Sequence, residues 1–106
     1  MIKKILGIVV LGFLLASCGK GERVELECFS KKFGQFEWHY DNKNVYEMYP
    51  DQPRVYKIDS RYGNSISASS KSSAGMFYAI IDTSAMRVSV QGPYGNYSNT
   101  NCKRIN

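Results

Sequence analysis

Apolar and polar residues alternate along most of the chain after residue 23. Successive side chains of a β-strand point to opposite faces, so alternation with a period of two predicts strands with one buried face. The apolar positions that define the first two predicted strands are Val24, Leu26 and Cys28, and then Phe36, Trp38 and Tyr40. No stretch after residue 23 has the spacing of an amphipathic helix over ten or more residues.

Turn-forming residues divide the remaining chain into further short strands. The predicted strands are 45–49, 54–60, 65–69, 76–82, 86–90 and a last one that ends at Cys102, and a serine-rich loop is predicted at 69–75. Residues 76–82 are the most apolar of these strands, which predicts a central strand buried on both faces. Seven or eight short strands joined by turns predict an all-β domain, a small antiparallel meander that forms a closed or nearly closed barrel or a compact sandwich.

The first residues follow a different pattern. Lys3 and Lys4 precede an apolar run over residues 5–16, which is shorter than the roughly 20 residues that a membrane-spanning helix needs. A basic start, a short apolar run and small residues before a cleavage point predict a signal peptide over residues 1–17. The alternative is an ordinary secretory signal followed by a cysteine by coincidence.

The tetrapeptide Leu15-Ala16-Ser17-Cys18 resembles the lipobox of bacterial lipoproteins. The resemblance implies cleavage before Cys18, a diacylglycerol on its sulfur and an acyl chain on its new amino group, and several acyl chains make a lasting anchor. Gly19 stands where many inner-membrane lipoproteins have Asp, which favours the inner leaflet of the outer membrane. Residues 18–23 then form a short tether, and residues 24–106 form a single β domain.

Removing the signal lowers the net charge from +5 to +3, because Lys3 and Lys4 leave with it. Nucleic-acid binders carry clustered basic residues on one face, whereas the basic residues here are spread along the chain. The sequence therefore predicts no nucleic-acid partner.

Two cysteines remain once Cys18 is assigned to lipid. Cys28 and Cys102 lie near opposite ends of the domain, in a compartment where disulfides persist, so a disulfide between them is predicted. Closing so long a loop stabilises a fold by roughly 4 to 5 kcal/mol in the chain-entropy treatment. The alternative is two free thiols. A metal site is not predicted, because the single His39 and two separated cysteines lack the spacing of a zinc site.

Candidate catalytic groups are few, and the sequence predicts neither an enzyme nor a cofactor. His39 shares a strand face with Glu37, a position more typical of a surface pair than of a catalytic dyad. The serines of residues 67–73 lack the GxSxG pattern of a nucleophile elbow.

Tyrosine is the residue type that points to binding, with eight copies beside one tryptophan. Tyr40, Tyr56 and Tyr78 are expected to be partly in the core, whereas Tyr and neighbouring polar residues in predicted turns give rigid contact area beside adaptable hydrogen-bonding groups. The candidate binding residues are Arg61, Tyr62 and Asn64 in one turn, and Tyr94, Asn96 and Tyr97 in another. The alternative is that these tyrosines only pack over the ends of the sheet.

Three segments carry a further resemblance: the cysteine pair, Tyr-Asp-Asn-Lys at 40–43 and Ser-Arg-Tyr-Gly-Asn at 60–64. Together they resemble the membrane-bound inhibitors of c-type lysozyme, small β-barrels that push loop residues into the lysozyme cleft. That family's Ser-Gly-x-x-Tyr signature is absent, and Ser60 and Tyr62 echo only part of it. In size, lipidation and cysteine placement the chain also resembles small phage and prophage lipoproteins that block an outer-membrane receptor.

These observations predict an outer-membrane-anchored, periplasm-facing lipoprotein that binds or blocks an envelope protein. The alternatives are a lysozyme inhibitor and a structural envelope lipoprotein that contacts peptidoglycan, where Trp38 and the tyrosines would stack on sugars.

Overall fold

The computed structural model describes residues 22–106 as eight antiparallel strands closed into a barrel, as predicted. The predicted signal peptide and the predicted lipidation site at Cys18 lie outside the described residues. The strands are β1 (Val24–Ser30), β2 (Gly34–Tyr40), β3 (Asn44–Glu47), β4 (Arg54–Tyr62), β5 (Ser65–Ser72), β6 (Gly75–Asp82), β7 (Arg87–Gly92) and β8 (Gly95–Arg104).

Each strand pairs with the next along the chain, and β8 pairs back onto β1. In such a meander the connections alternate between the two ends of the barrel. One end, the terminal end, carries the start of β1, the end of β8 and the turns at 41–43, 63–64 and 83–86. The other, the distal end, carries the turns at 31–33, 48–53, 73–74 and 93–94.

The barrel interior is the hydrophobic core, because alternate residues of each strand point inward. The buried apolar residues are Leu26, Cys28, Phe36, Trp38, Val45, Tyr56, Ile66, Ala68, Phe77, Ala79, Ile81, Val88, Val90 and Cys102. Burying this apolar surface is the main force that stabilises the sheet. Space inside is limited: a Cβ on Gly92 would lie 2.9 Å from the Phe77 ring.

Two local predictions are wrong. Residues 76–82 are not buried on both faces, because Met76, Tyr78 and Ile80 point outward and are 38 to 46% exposed. A barrel strand has only one protected face, so even an apolar sequence alternates there, and Tyr78 is not part of the core. The serine-rich segment is also not a loop, since β5 and β6 pair as far as Ser72 and Gly75.

The seam between β1 and β8 is the irregular part of the barrel. Leu26 and Glu27 pair with Arg104 and Lys103, but the register shifts before Phe29 pairs with Thr100. The predicted disulfide between Cys28 and Cys102 lies at this shift, with an S–S distance of 2.06 Å. The disulfide therefore joins the first strand to the last where their pairing is irregular.

Candidate functional site

A buried carboxylate lies inside the distal half of the barrel. Glu47 follows Val45 on the inward face of β3 and is 1% exposed. It stands opposite Trp38 on β2 and Arg54 on β4. A buried charge is costly unless it is paired and hydrogen-bonded, so the surroundings of Glu47 must compensate it.

Three phenols and one guanidinium supply that compensation. The Tyr56 hydroxyl donates to Oε1 of Glu47 at 2.7 Å, the Tyr49 hydroxyl donates to Oε2 at 2.8 Å, and the Tyr97 hydroxyl also donates to Oε2. Nη1 of Arg54 lies 3.4 Å from Oε1. A carboxylate accepts about four hydrogen bonds, so Glu47 has no capacity left for a ligand. We call these five residues the Glu47 cluster.

Burial and the hydrogen bonds to Glu47 change the acidity of the phenols. Burial, followed by the bond to the Glu47 carboxylate, raises the pKa of Tyr56 and of Tyr97 far above the ordinary value of a phenol. Burial also raises the pKa of Tyr49. All three phenols therefore stay protonated, as donors, at neutral pH.

Aromatic rings surround the cluster. The guanidinium carbon of Arg54 lies 3.8 Å from the centre of the Phe77 ring, within the range of a cation–π interaction. On the other side the Tyr49 ring meets Phe36 edge-on at 5.3 Å, and Phe33 stacks on Phe36 at 5.4 Å. The phenol of Tyr49 thus joins the polar interior to an aromatic wall.

A cleft of about 670 Å³ opens beside this wall at the distal end. Its two long sides are continuous stretches of chain, residues 29–33 from β1 and its turn and residues 96–100 from β8, and its floor includes Phe36, Glu47 and Tyr49. The volume is within the range of pockets that take small molecules or peptide side chains. The cleft is therefore the concave site of this domain that is best formed among the described residues.

One polar atom in the cleft wall lacks a partner. Asn99 is 3% exposed, and its Oδ1 is buried without a hydrogen bond among the described residues. Buried acceptors of this kind are almost always satisfied, so Oδ1 of Asn99 needs a donor that the described residues do not supply. The rim of the cleft carries Lys31 and Lys32 beside the half-exposed rings of Phe29 and Phe33.

The two predicted binding turns lie at opposite ends of the barrel. Arg61 and Tyr62 are the last residues of β4 at the terminal end, so the prediction that they lie in a turn is wrong. Arg61 donates there to the carbonyl of Asp41 at 2.8 Å. The carbonyl of Asn64 accepts from the backbone N–H of Thr83 at 2.8 Å. These residues are far from the cleft, so a single surface cannot include both turns.

The second predicted turn is at the distal end, and its residues differ in role. Tyr94 is 85% exposed at the tip of the β7–β8 hairpin, and Asn96 lines the cleft. Tyr97 is in β8 rather than in a turn, and its inward side chain belongs to the Glu47 cluster. The prediction of a turn at Tyr97 is therefore wrong, and its hydroxyl is occupied.

His39 and Glu37 pair as the alternation predicts, with Nε2 of His39 2.9 Å from Oε1 of Glu37, but His39 is 8% exposed and therefore buried rather than at the surface. Arg23 donates to the other ring nitrogen, Nδ1. Both ring nitrogens of His39 are therefore occupied by neighbouring side chains.

Residues 22–106 contain no group of three or more metal-ligating side chains. The same part of the chain contains no helix long and apolar enough to cross a bilayer.

Sequence reasoning missed Glu47, Arg54, Tyr49 and Asn99. A signal was present for the first two: Glu47 shares a strand face with Val45, and Arg54 shares one with Tyr56. Opposite charges on the apolar faces of adjacent strands indicate a buried ion pair. Asn99 has no comparable signal, because the residues next to it in β8 are polar on both faces of the strand.

Comparison with known proteins gives no match: no family model fits the chain, and no curated protein or solved structure is significantly similar to it.

Proposed function

We propose that this protein is a lipid-anchored envelope lipoprotein that binds or blocks a protein partner through its distal end. The observation that carries the proposal is the placement of the cleft opposite the terminal end, where β1 begins. An anchor at Cys18 precedes β1 by few residues, so the terminal end stays near the membrane and the cleft faces the periplasm.

The exposed groups of the distal end suit a protein partner. Phe29, Phe33 and Tyr94 are each at least half exposed there. Exposed aromatic residues beside a cleft are typical of recognition surfaces. By contrast Trp38 is fully buried, so stacking of Trp38 on sugars forms no part of the proposal.

Two tyrosines make a matched pair for a crosslinking test. Tyr94 and Tyr62 are 85% and 86% exposed, but they lie at the distal and terminal ends respectively. A photo-crosslinking amino acid is placed at one or the other position of the full chain, and intact cells are irradiated. We expect an envelope protein to be captured from position 94 and not from position 62.

Capture of the same proteins from both positions, or of none from position 94, would contradict the proposal. A Cys18→Ser variant tests the anchor: we expect it to leave the membrane fraction and to lose the crosslink. Capture of a lysozyme from position 94, with inhibition of that lysozyme by the purified protein, would favour the inhibitor alternative.

A further inference from the structure

One strand edge of the barrel is unpaired, and it faces the cleft. β8 pairs with β7 from Gly95 to Asn99, but β1 pairs with β8 only from Thr100 onward. Since β1 ends at Ser30, which lies opposite Asn99, residues 96–98 have a neighbouring strand on one side only. In an antiparallel ladder alternate residues direct their N–H and C=O groups to opposite sides, so part of this segment presents unpaired backbone groups to the cleft.

The geometry explains why the barrel leaves this edge open. β1 ends at Ser30, level with Asn99, while the β7–β8 hairpin continues to its turn at 93–94. The hairpin thus extends beyond its neighbour by about four residues, or roughly 13 Å at 3.3 Å per residue. An unpaired strand edge is a template for another extended chain.

The opposite side of the cleft offers contacts for side chains. Phe33 is 51% exposed, and Phe36 and Tyr49 extend the same apolar wall inward. Phe29 lies on the outer face of β1 and is 50% exposed. Side chains of an added strand alternate between faces, so every second one would meet this wall. Apolar or aromatic side chains fit it.

The polar groups around the cleft favour a ligand that has hydrogen-bond donors and negatively charged groups. Oδ1 of Asn99 is a buried acceptor without a partner, and an added strand brings N–H donors within the cleft. Lys31 and Lys32 lie at the rim with no acidic partner in the described part of the chain. A complementary ligand therefore carries carboxylates outside the apolar segment.

We propose that the cleft binds an extended acidic peptide segment, which adds a strand to the β8 edge over residues 96–98 and places an apolar side chain against Phe33 and Phe36. This inference rests on the proposed function and specifies the partner segment: an edge strand or extended loop with alternating apolar residues and nearby Asp or Glu. Main-chain hydrogen bonds supply affinity and the aromatic wall supplies selectivity, as in other cases of strand addition.

The test uses the full chain in detergent and a short fluorescent peptide of alternating Phe and Thr flanked by Glu. Two derivatives carry N-methyl groups, one on the amides of the Phe residues and the other on those of the Thr residues. When the Phe side chains of the bound peptide point to Phe33 and Phe36, either the Phe amides or the Thr amides face β8, but not both. We expect one derivative to bind about tenfold more weakly and the other to bind within about twofold, since each lost hydrogen bond contributes about 1 kcal/mol.

Variants of the protein test the role of the Lys31 and Lys32 charges, and hydrogen exchange tests where the peptide binds. Replacing Lys31 and Lys32 together by Glu should weaken binding at least about fivefold. The control, Lys43→Glu with Lys57→Glu at exposed terminal-end sites, changes net charge equally and should leave binding unchanged. Hydrogen exchange should slow at amides of residues 96–98 when peptide is present.

Several outcomes would overturn strand addition: no peptide binding, equal binding of both N-methylated derivatives, or slowed exchange only outside residues 96–98. Displacement of the peptide by an N-acetylglucosamine oligomer without amide protection would make the cleft a sugar site instead. These failures are separate from failure of the proposed function. Capture of an envelope protein from position 94 with no peptide binding would reject strand addition alone, and peptide binding without such capture would reject the envelope partner.

Discussion

The two ends of the barrel are stabilised in different ways. The terminal half is filled with aliphatic side chains such as Ile66, Ile81 and Val88, and its turns are held by local hydrogen bonds to Asp41 and Asp82. The distal half contains the Glu47 cluster and an open cleft. Apolar burial needs no precise geometry, whereas a buried carboxylate needs every partner in place. The comparison indicates that the distal half depends on a precisely arranged polar cluster, whereas the terminal half depends mainly on apolar burial.

Removing the disulfide should cause the largest loss of stability. It joins β1 to β8 at the register shift, next to the point where their pairing ends. It joins residues 74 apart in sequence, and such a loop contributes about 4 kcal/mol in the chain-entropy treatment. A Cys28→Ala, Cys102→Ala double variant should lose about this much stability in urea unfolding, followed by the fluorescence of the single tryptophan, Trp38. An unchanged midpoint would show that strand pairing alone holds the seam.

Removing Glu47 tests the polar distal half directly. Glu47→Ala leaves Arg54 without its acidic partner and three phenols without their acceptor, so we expect a loss of about 3 kcal/mol. Glu27→Ala is the control, since Glu27 is an outward-facing partner of Lys103 at 3.8 Å and such exposed pairs contribute less than about 1 kcal/mol. Equal losses of stability for Glu47→Ala and Glu27→Ala in thermal unfolding would mean that the Glu47 cluster contributes no more than an exposed ion pair.

Overpacking should also affect the distal half. A methyl group on Gly92 would clash with Phe77, whose ring carries the Arg54 guanidinium on its face. Gly92→Ala should therefore cost about 2 kcal/mol. Gln91→Ala, at the neighbouring outward position, should change stability by less than about 0.5 kcal/mol. Unfolding curves in urea would compare the two, and a neutral Gly92→Ala would show that Phe77 can move.

High pH should reduce folding stability through the tyrosines of the distal half. The folded-state pKa values of Tyr56 and Tyr97 are raised, so their stabilisation is complete below the unfolded value of 10.0 and is lost as the pH rises above it. Tyr97→Phe removes one donor to Glu47, which should cost about 1 kcal/mol at neutral pH and reduce the loss of stability above pH 10. Tyr94→Phe, with its exposed hydroxyl, should behave as the unmodified chain does. The measurement is the melting temperature of the unmodified chain and of both variants from neutral pH to above pH 10. If the melting temperature fell equally steeply with pH in all three proteins, the raised pKa of Tyr97 would be contradicted.

Low pH should give the smallest loss of folding stability, and this loss should come from Asp41 and Asp82 in turns of the terminal end. Hydrogen bonds from the backbone N–H groups of Ala85 and Ser84 lower the pKa of Asp82. Burial alone would raise the pKa of Asp41, but bonds from Asn44, Lys43 and Tyr46 outweigh it and lower that pKa as well. These contributions are present above the unfolded value of 3.8 and are lost as the pH falls below it.

An Asp41→Asn variant isolates the acid effect. The amide oxygen can still accept from Asn44, but the group no longer titrates, so the loss of stability below pH 4 should shrink while neutral stability changes little. Melting temperatures at neutral and acid pH would measure this. A steeper acid dependence in the variant would contradict a lowered pKa for Asp41.

The period-two pattern was sufficient to predict an all-β meander and the positions of most strands, because burial of one face selects alternate residues wherever a sheet forms. The disulfide was predicted on a different ground, because only two cysteines remain once Cys18 is assigned to lipid. The pattern failed at residues 76–82, where apolar residues occur on both faces and only barrel closure shows which face is inside. It also failed at Tyr97, because turn-forming neighbours masked a strand that extends beyond its partner.

The amino-acid sequence by itself determined the fold class, the disulfide and the alternation that sends Glu47 inward. Tertiary structure alone decided that Tyr49, Tyr56 and Tyr97 meet on one carboxylate, that the two tyrosine-bearing turns lie at opposite ends, and that the β8 edge is left open. These features depend on which strands become neighbours and on where each hairpin ends. Both are consequences of closing the barrel, which brings β1 against β8 across the whole length of the chain.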